Sequence, residues 1–338
     1  MKKIKAIMIS LLGTFLFLTM FNKIVHAEEG NVGFNIQMLD SNAQHDKKAS
    51  YFDLRLLPGQ KETIKFRLNN TSDAKSSYTI HVNQAYTNSQ GFIDYTDADG
   101  AKENDVPYRI GDMVTYGKKV IVEAKSSVDV PIEITMPDKP FDGQIAAAIQ
   151  VLKDQNKSDN QINVDYGYIL GLKLTEADTE IKRELKLVNV TPEVSFGQPS
   201  VVVTIQNPTM DAYGHLKYVV EIKNKQDNKS TYSKTYDSNM EMAPNSLFKL
   251  AINTKDQRLV AGDYTLKLTV TDAKDNKWTF DKDFIISKDQ ANKINAVTID
   301  QGKEDTVRYV FIIIGVLLLI IIVVLIYWKN KKHYNKMQ

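Results

Sequence analysis

The chain has 338 residues with 43 basic and 41 acidic side chains, a net charge of +2, and no cysteine. Disulfide frameworks, cysteine nucleophiles and lipid attachment through cysteine are therefore excluded. Four of the lysines lie in residues 1–27 and four in 329–338, so the stretch between keeps 35 bases against all 41 acids, about −6; such a surface argues against a nucleic-acid partner.

The chain opens MKKIKAIMISLLGTFLFLTMFNKIVHAEE, with three lysines, an apolar run and the small-residue pattern Val25-His26-Ala27. This reads as a secretory signal peptide over 1–27, cleaved after Ala27, with an uncleaved anchor as the alternative. From residue 28 onward short apolar alternations follow one another. In YFDLRLLPGQKETIKFRLNNTSD, Pro58 and Gly59 suit the two central positions of a type II turn. Ile64, Phe66 and Leu68 then alternate with Thr63, Lys65 and Arg67, the period of a half-buried strand, so a hairpin-like unit is expected.

GFIDYTDADGAKEND concentrates Asp94, Asp97, Asp99, Glu103 and Asp105. Read as a calcium loop, with Asp97 and Asp99 in register, it places Tyr95 at the first ligand position and Val106 at the bidentate glutamate. A solvated hairpin loop is the competing reading. In VDVPIEITMP, Val128, Val130, Ile132, Ile134 and Met136 share a face, and Pro131 points to an edge strand. GQIAAAIQVL is a continuous apolar run expected to be a strand buried on both faces, with a short helix as the alternative. Tyr166, Tyr168, Leu170, Leu172 and Leu174 alternate again.

ADTEIKRELK is charged and marks a boundary. Alternation resumes at Val201, Val203 and Ile205, then at Tyr218, Val220 and Ile222, at Tyr264, Leu266, Leu268 and Val270, and near Trp278 and Phe280. Short strands at this spacing, separated by Asn, Asp, Gly and Pro, predict two tandem immunoglobulin-like β-sandwich domains, over 28–177 and 178–286. Residues 287–308 are mostly polar and read as a stalk, with an added strand at Ala296-Val297-Thr298-Ile299 as the alternative. Residues 309–328, YVFIIIGVLLLIIIVVLIYW, carry no charge and are long enough for a transmembrane helix. Residues 329–338 are basic, which places them in the cytoplasm by the positive-inside rule. The expected class is thus all-β with a C-terminal transmembrane helix: a single-pass membrane protein with its bulk outside the cell. No LPxTG-like stretch precedes the apolar run, so sortase attachment is not expected.

Chemistry is sparse. His45, His81 and His215 have no second ligand at metal-site spacing, and no GxSxG, P-loop or HExxH occurs. No catalytic residue, metal or cofactor is assigned. Paired carboxylates of a glycosidase cannot be recognised from spacing in a β-sandwich, so a wall-remodelling enzyme is the alternative reading, beside a sensor of wall state.

The segments YFDLRLLPGQKETIKFRLNNTSD, PDKPFDGQIAAAIQVL, QNPTMDAYGHLKYVVEI, MEMAPNSLFKL and LVAGDYTLKLTV, in this order and between the two terminal apolar runs, resemble the WxL-interacting proteins of Gram-positive bacteria. A departure is Ala146-Ala147-Ala148, where such proteins tend to show a glycine pair; it bears on the packing of that strand. The resemblance implies a non-enzymatic, adhesive surface scaffold. Its first domain is expected to bind peptidoglycan, and its second a WxL-domain surface protein or host extracellular protein. Aromatic rings stack on sugars, so Tyr51, Tyr86, Phe92 and Tyr95 are the candidate glycan-binding residues. Phe52 is expected in the core, and Tyr51 is open between core and ligand. Asn207, Pro208, Ala243, Pro244 and Asn245 are the candidate partner-binding residues, in loops near a sheet edge.

Overall fold

The computed structural model describes residues 32–154, 166–226, 230–253, 258–297 and 310–315. The first part of the chain forms β1 (Phe34–Met38), β2 (Phe52–Arg55), β3 (Lys61–Asn70), β4 (Ser76–Gln84), β5 (Tyr86–Thr87) and β6 (Ile93–Asp94). One helical turn, α1 (Ile110–Met113), precedes β7 (Val114–Tyr116), β8 (Lys119–Val122), β9 (Ser127–Thr135), β10 (Gln144–Lys153) and β11 (Gly167–Thr175). A four-stranded sheet, β1-β3-β9-β7, and a five-stranded sheet, β2-β11-β10-β4-β8, enclose one core in which Phe52, Phe66 and Tyr78 are the largest wholly buried side chains.

The second part forms β12 (Lys186–Ser195), β13 (Gln198–Gln206), β14 (Tyr213–Asn224), β15 (Ser230–Met242), β16 (Leu247–Asn253), β17 (Gly262–Thr271) and β18 (Lys277–Ile286). Its sheets, β12-β13-β16 and β15-β14-β17-β18, close over a second core around Tyr213, Tyr218 and Phe248. Sheet membership changes between β11, which belongs to the first sandwich, and β12, which opens the second.

The expected turn forms: Gln60 N donates to Leu57 O at 3.0 Å and Gly59 has φ +69°, the positive φ that a type II turn requires at its third position. The strands around it do not pair as a hairpin. β2 joins β11 in parallel, while β3 pairs with β1 and β9, so the turn carries the chain from one sheet to the other. β9 is not the edge strand that Pro131 suggested, since it lies between β3 and β7; Pro131 is tolerated because it lies beyond the reach of β7, which pairs only Ile132–Ile134, leaving open the side on which a proline has no N–H to give. GQIAAAIQVL is strand β10, buried on both faces.

Two C-terminal expectations are corrected. Residues 288–297 are helical rather than a stalk or an added strand. In α2 (Lys288–Val297), Ala291 and Ile294 are buried against the second sandwich. The helix starts at a capping box: Gln290 N donates to Ser287 Oγ at 3.2 Å and Ser287 N to Gln290 Oε1 at 3.0 Å. Asn295 fastens it by bonding both Leu259 N and Leu259 O at 2.9 Å.

The transmembrane helix and the single-pass location are likewise not supported. Among the described residues no helix is long and apolar enough to cross a membrane. Of the run 309–328 only 310–315 is described, as helix. The signal peptide at 1–27, residues 298–308 and the tail at 329–338 lie outside the described residues.

Ser287→Ala is expected to lower the stability of the second domain by about 1 kcal/mol. Trp278, stacked on Tyr213, reports on that domain, so denaturant unfolding followed by its fluorescence should show an earlier midpoint.

Candidate functional site

The outward face of the five-stranded sheet has a floor of small residues. Gly171 of β11 pairs with Ala148 of β10, which pairs with Asn83 of β4. Ala146 lies one pleat along, beside Ala85. Tyr51 covers one side of this floor: a Cβ on Gly171 would stand 3.2 Å from Tyr51 Cβ and 3.6 Å from its Cγ. Tyr51 is 37% exposed, while Phe52 beside it is 0% exposed, as the alternation of strand side chains demands.

Over the other side lies an excursion between β4 and α1 that carries β5 and β6. Asn83 Nδ2 donates to Tyr95 O at 2.8 Å and to Gln150 Oε1 at 3.1 Å, and Gln150 Nε2 donates to Thr96 O at 3.3 Å. Ile93 and Tyr95 pack on Ala85 and Ala146 together with Ala243 of the second domain. Larger side chains at 85, 146 or 148 would hold this segment off the sheet. Burial is the main influence on the Tyr95 phenol and raises its pKa, with smaller contributions from Glu241, Tyr51 and Asp94.

The acidic loop is tied up internally. Burial alone would raise the Asp94 pKa, but hydrogen bonds from Thr96 N and Oγ1, Asn88 Nδ2 and Tyr95 N hold its carboxyl below the usual range. Asp97 Oδ1 accepts from Asp99 N, and Glu103 pairs with Lys249 at 2.9 Å. The Tyr86 ring rests on Gly100, where a Cβ would overlap it. Among the described residues no group of three potential metal ligands exists, so the calcium reading gains no support.

The excursion docks on the second domain. Glu241 N donates to Gly91 O at 2.7 Å and Glu241 Oε2 accepts from Ile93 N at 3.3 Å. Ala243 N donates to Thr87 Oγ1 at 3.0 Å. Ser246 Oγ gives its proton to Ala243 O, so the 2.6 Å contact between the two hydroxyls is donated by Thr87. Asn104 Oδ1 accepts from Leu247 N at 3.1 Å. A second contact, Gln144 N to Met210 O at 2.7 Å, joins the base of β10 to the second domain. The linker is held at both ends: Arg55 pairs with Asp178, and Arg183 pairs with Asp211 and Asp272 while lying over the Tyr213 ring.

A family described as WxL Interacting Protein, peptidoglycan binding domain, matches residues 34–153, and one described as WxL Interacting Protein, host binding domain, matches residues 157–296. The chain belongs to the WxL-interacting protein family. Both matched families are binding domains rather than enzymes, which gives this WxL-interacting protein a binding role at the cell surface. The interval between the matches falls before β11, although that strand completes the sheet of the first sandwich. No curated protein matches the chain. Similar solved structures include the CupB2 chaperone of Pseudomonas aeruginosa (14% identity, TM-score 0.25, covering 68% of this chain and 96% of that one). The CsuC–CsuE chaperone–tip subunit complex of Acinetobacter baumannii is another (12%, 0.31, 67% and 93%). A PapD-like domain of human CEP192 is a third (13%, 0.27, 44% and 87%). At these TM-scores the likenesses carry no argument.

The structure brings Tyr51 and Tyr95 of this WxL-interacting protein onto one sheet face. It puts the 43%-exposed Phe92 at the tip of the docked excursion and uses Tyr86 to support the acidic loop. The loop residues singled out in the second domain lie on its face toward the first domain. Asn207 Nδ2 bonds Asp211 O and Ala243 O, and its Oδ1 accepts from Thr209. Asn245, at φ +50°, bonds Pro208 O. Asn207, Ala243, Pro244 and Asn245 are buried, and Pro208 is half-buried. These loops form part of the surface that meets the first domain, where Ala243 N bonds Thr87 Oγ1. Asn83, Gln150, Thr87, Asn104 and Glu241 escaped sequence reading, because single polar residues in or near alternating strands look like ordinary solvated positions. An apolar cavity of about 80 Å³ in the second domain, lined by Tyr232, Tyr264 and Phe284 among others, is well below the roughly 300 Å³ of a small-molecule pocket.

Gly91 has φ +80°, and a Cβ there would overlap Met240 Cε and stand 3.1 Å from Phe248 Cζ. Gly91→Ala is expected to undock the excursion, raising protease cleavage within 85–105 and increasing the radius of gyration in solution scattering. Gly117→Ala, with open space around it and no positive φ, should leave both unchanged.

Proposed function

We propose that this protein is a non-enzymatic surface scaffold whose first domain holds the glycan of peptidoglycan and whose second domain holds an extracellular protein, a WxL-domain protein or a host factor. The observation that carries the reading is the tandem of family matches, one named for peptidoglycan binding and one for host binding, in a single chain. The junction supports it: the domains touch at the docked excursion and at Gln144–Met210, and the linker is fixed to both.

For the glycan we propose the outward face of the five-stranded sheet. Tyr51 presents open ring surface there, Phe92 presents it at the tip of the excursion, and Tyr95 and Tyr86 hold the excursion in shape. A tyrosine offers an apolar ring face to sugar C–H groups and a hydroxyl to their oxygens. For the protein partner the exposed residues of the second domain remain available, since its loops at 207–211 and 243–246 are engaged by the chain itself.

Cosedimentation of the protein with purified Gram-positive peptidoglycan tests the first half of the reading. The wild type should pellet with the wall and release no soluble sugar. Tyr51→Ala should lower the bound fraction several-fold with an unchanged melting midpoint, because its ring stands outside the core. Release of sugar fragments would turn the reading to a wall-remodelling enzyme, and a wild type that stays in the supernatant would remove the glycan assignment.

A further inference from the structure

We infer that Lys173 and Asp53 are a modification site, at which the two side chains condense into an amide that cross-links the last strand of the first sandwich to its second. The inference stands apart from the glycan and partner readings above.

Asp53 of β2 and Lys173 of β11 stand directly opposite each other in the parallel pairing of these strands. Lys173 Nζ lies 3.2 Å from Asp53 Oδ1, and the Asp53 side chain is only 5% exposed. That oxygen is nevertheless buried without a hydrogen-bond partner among the described residues, so the amine is within reach of the carboxyl group but is not aligned to donate to this oxygen. A buried ion pair offsets its desolvation only when good hydrogen bonds accompany the attraction. Here that compensation is missing. Neutralised by one proton transfer, the same two groups are a primary amine and a carboxylic acid held in contact, which are the reactants of amide formation.

The step balances within the pair. Lys173 gives a proton to the Asp53 carboxylate, and the lone pair of the resulting amine attacks Cγ. The Nζ–Cγ bond forms, a Cγ–O bond breaks, and a second proton from nitrogen leaves with that oxygen as one molecule of water. No oxidant, reductant or further reactant enters. Reactants fixed in this way behave as if present at on the order of 10⁵–10⁸ M, which favours a condensation that is unfavourable between separate molecules in water. Arg55 is placed to assist: it lies two residues on along the same face of β2, its terminal nitrogens are taken by Asp178, and its Nε–H is buried without a partner among the described residues. A fixed N–H donor on that face suits the oxyanion of the addition step.

The position is one where a cross-link has an effect. β2 is a four-residue strand at the end of its sheet, and the bond would join residues 120 positions apart (173 − 53). Closing so long a loop removes much of the freedom of the unfolded chain, as a disulfide does. The chain has no cysteine to do it otherwise.

The experiment is tryptic peptide mapping by tandem mass spectrometry of the purified whole protein, for the wild type and Lys173→Arg. The wild type should give a branched peptide that joins the segments carrying Asp53 and Lys173, lighter by one water than the two together, with no cleavage after Lys173. Lys173→Arg keeps a cation beside Asp53 but has no primary amine, so it should give the two segments separately and melt at a lower temperature than the wild type. Recovery of both wild-type segments unlinked, with cleavage after Lys173, would overturn the cross-link. A branched peptide joining Lys173 to a different acid would overturn the assignment to Asp53. The wild-type map decides by itself if Lys173→Arg fails to fold.

Discussion

The seating of the 85–105 excursion on a floor of small side chains governs how the two sandwiches relate. Ala85, Ala146 and Ala148 together with Gly171 leave the outward face of a sheet low enough for a second layer to lie against it. Asn83 and Gln150 supply the hydrogen bonds that the incoming backbone loses from water. Once that layer is down, its far side presents Thr87, Gly91 and Asn104 to the second domain, and the contact made there is largely polar, with Asn104 Nδ2 left without a partner among the described residues. Apolar burial fixes position inside each sandwich, whereas directional bonds fix orientation between them.

The sequence disclosed the sandwiches more fully than the junction, for a physical reason. A strand with one face in the core writes its burial at period two, so Ile64, Phe66 and Leu68, or Leu266, Leu268 and Val270, are legible without any structure. Pro58-Gly59 likewise encodes its turn locally. Which sheet each strand then joins depends on partners outside the unit, for β2 more than a hundred residues away, so the unit containing that turn read as a hairpin and is a crossing between sheets. The triple alanine carried a signal in its small size, but small residues fit a tight core and a docking floor equally well. The helix after the second sandwich was legible in principle: Ser287 followed by Gln290 is a capping box, overlooked because the residues between are polar and the segment lacks a strong apolar stripe.

Candidate site residues were chosen by chemistry alone, and their placement divides along exposure. Of the four aromatic residues, Tyr51 and Phe92 keep open ring surface. Asn-Pro and Ala-Pro-Asn motifs resemble exposed loops, yet Asn207 spends every polar atom of its side chain on neighbouring loop atoms, as a residue in a load-carrying corner does. Sequence cannot distinguish a polar residue facing water from one satisfied internally, since both obey the same rule that polar groups find partners.

The parallel pairing of β2 with β11 has a bearing on how the molecule assembles. Thr175 Oγ1 donates to Leu54 O across 121 residues of chain, so the edge of the first sandwich is completed by nearly the last of its residues. Contacts so distant in sequence form late and slowly, because the loop they close is long. During synthesis the Phe52 side of that core therefore stays open until the chain has passed residue 175, and a fragment ending between the two family matches would carry that opening permanently.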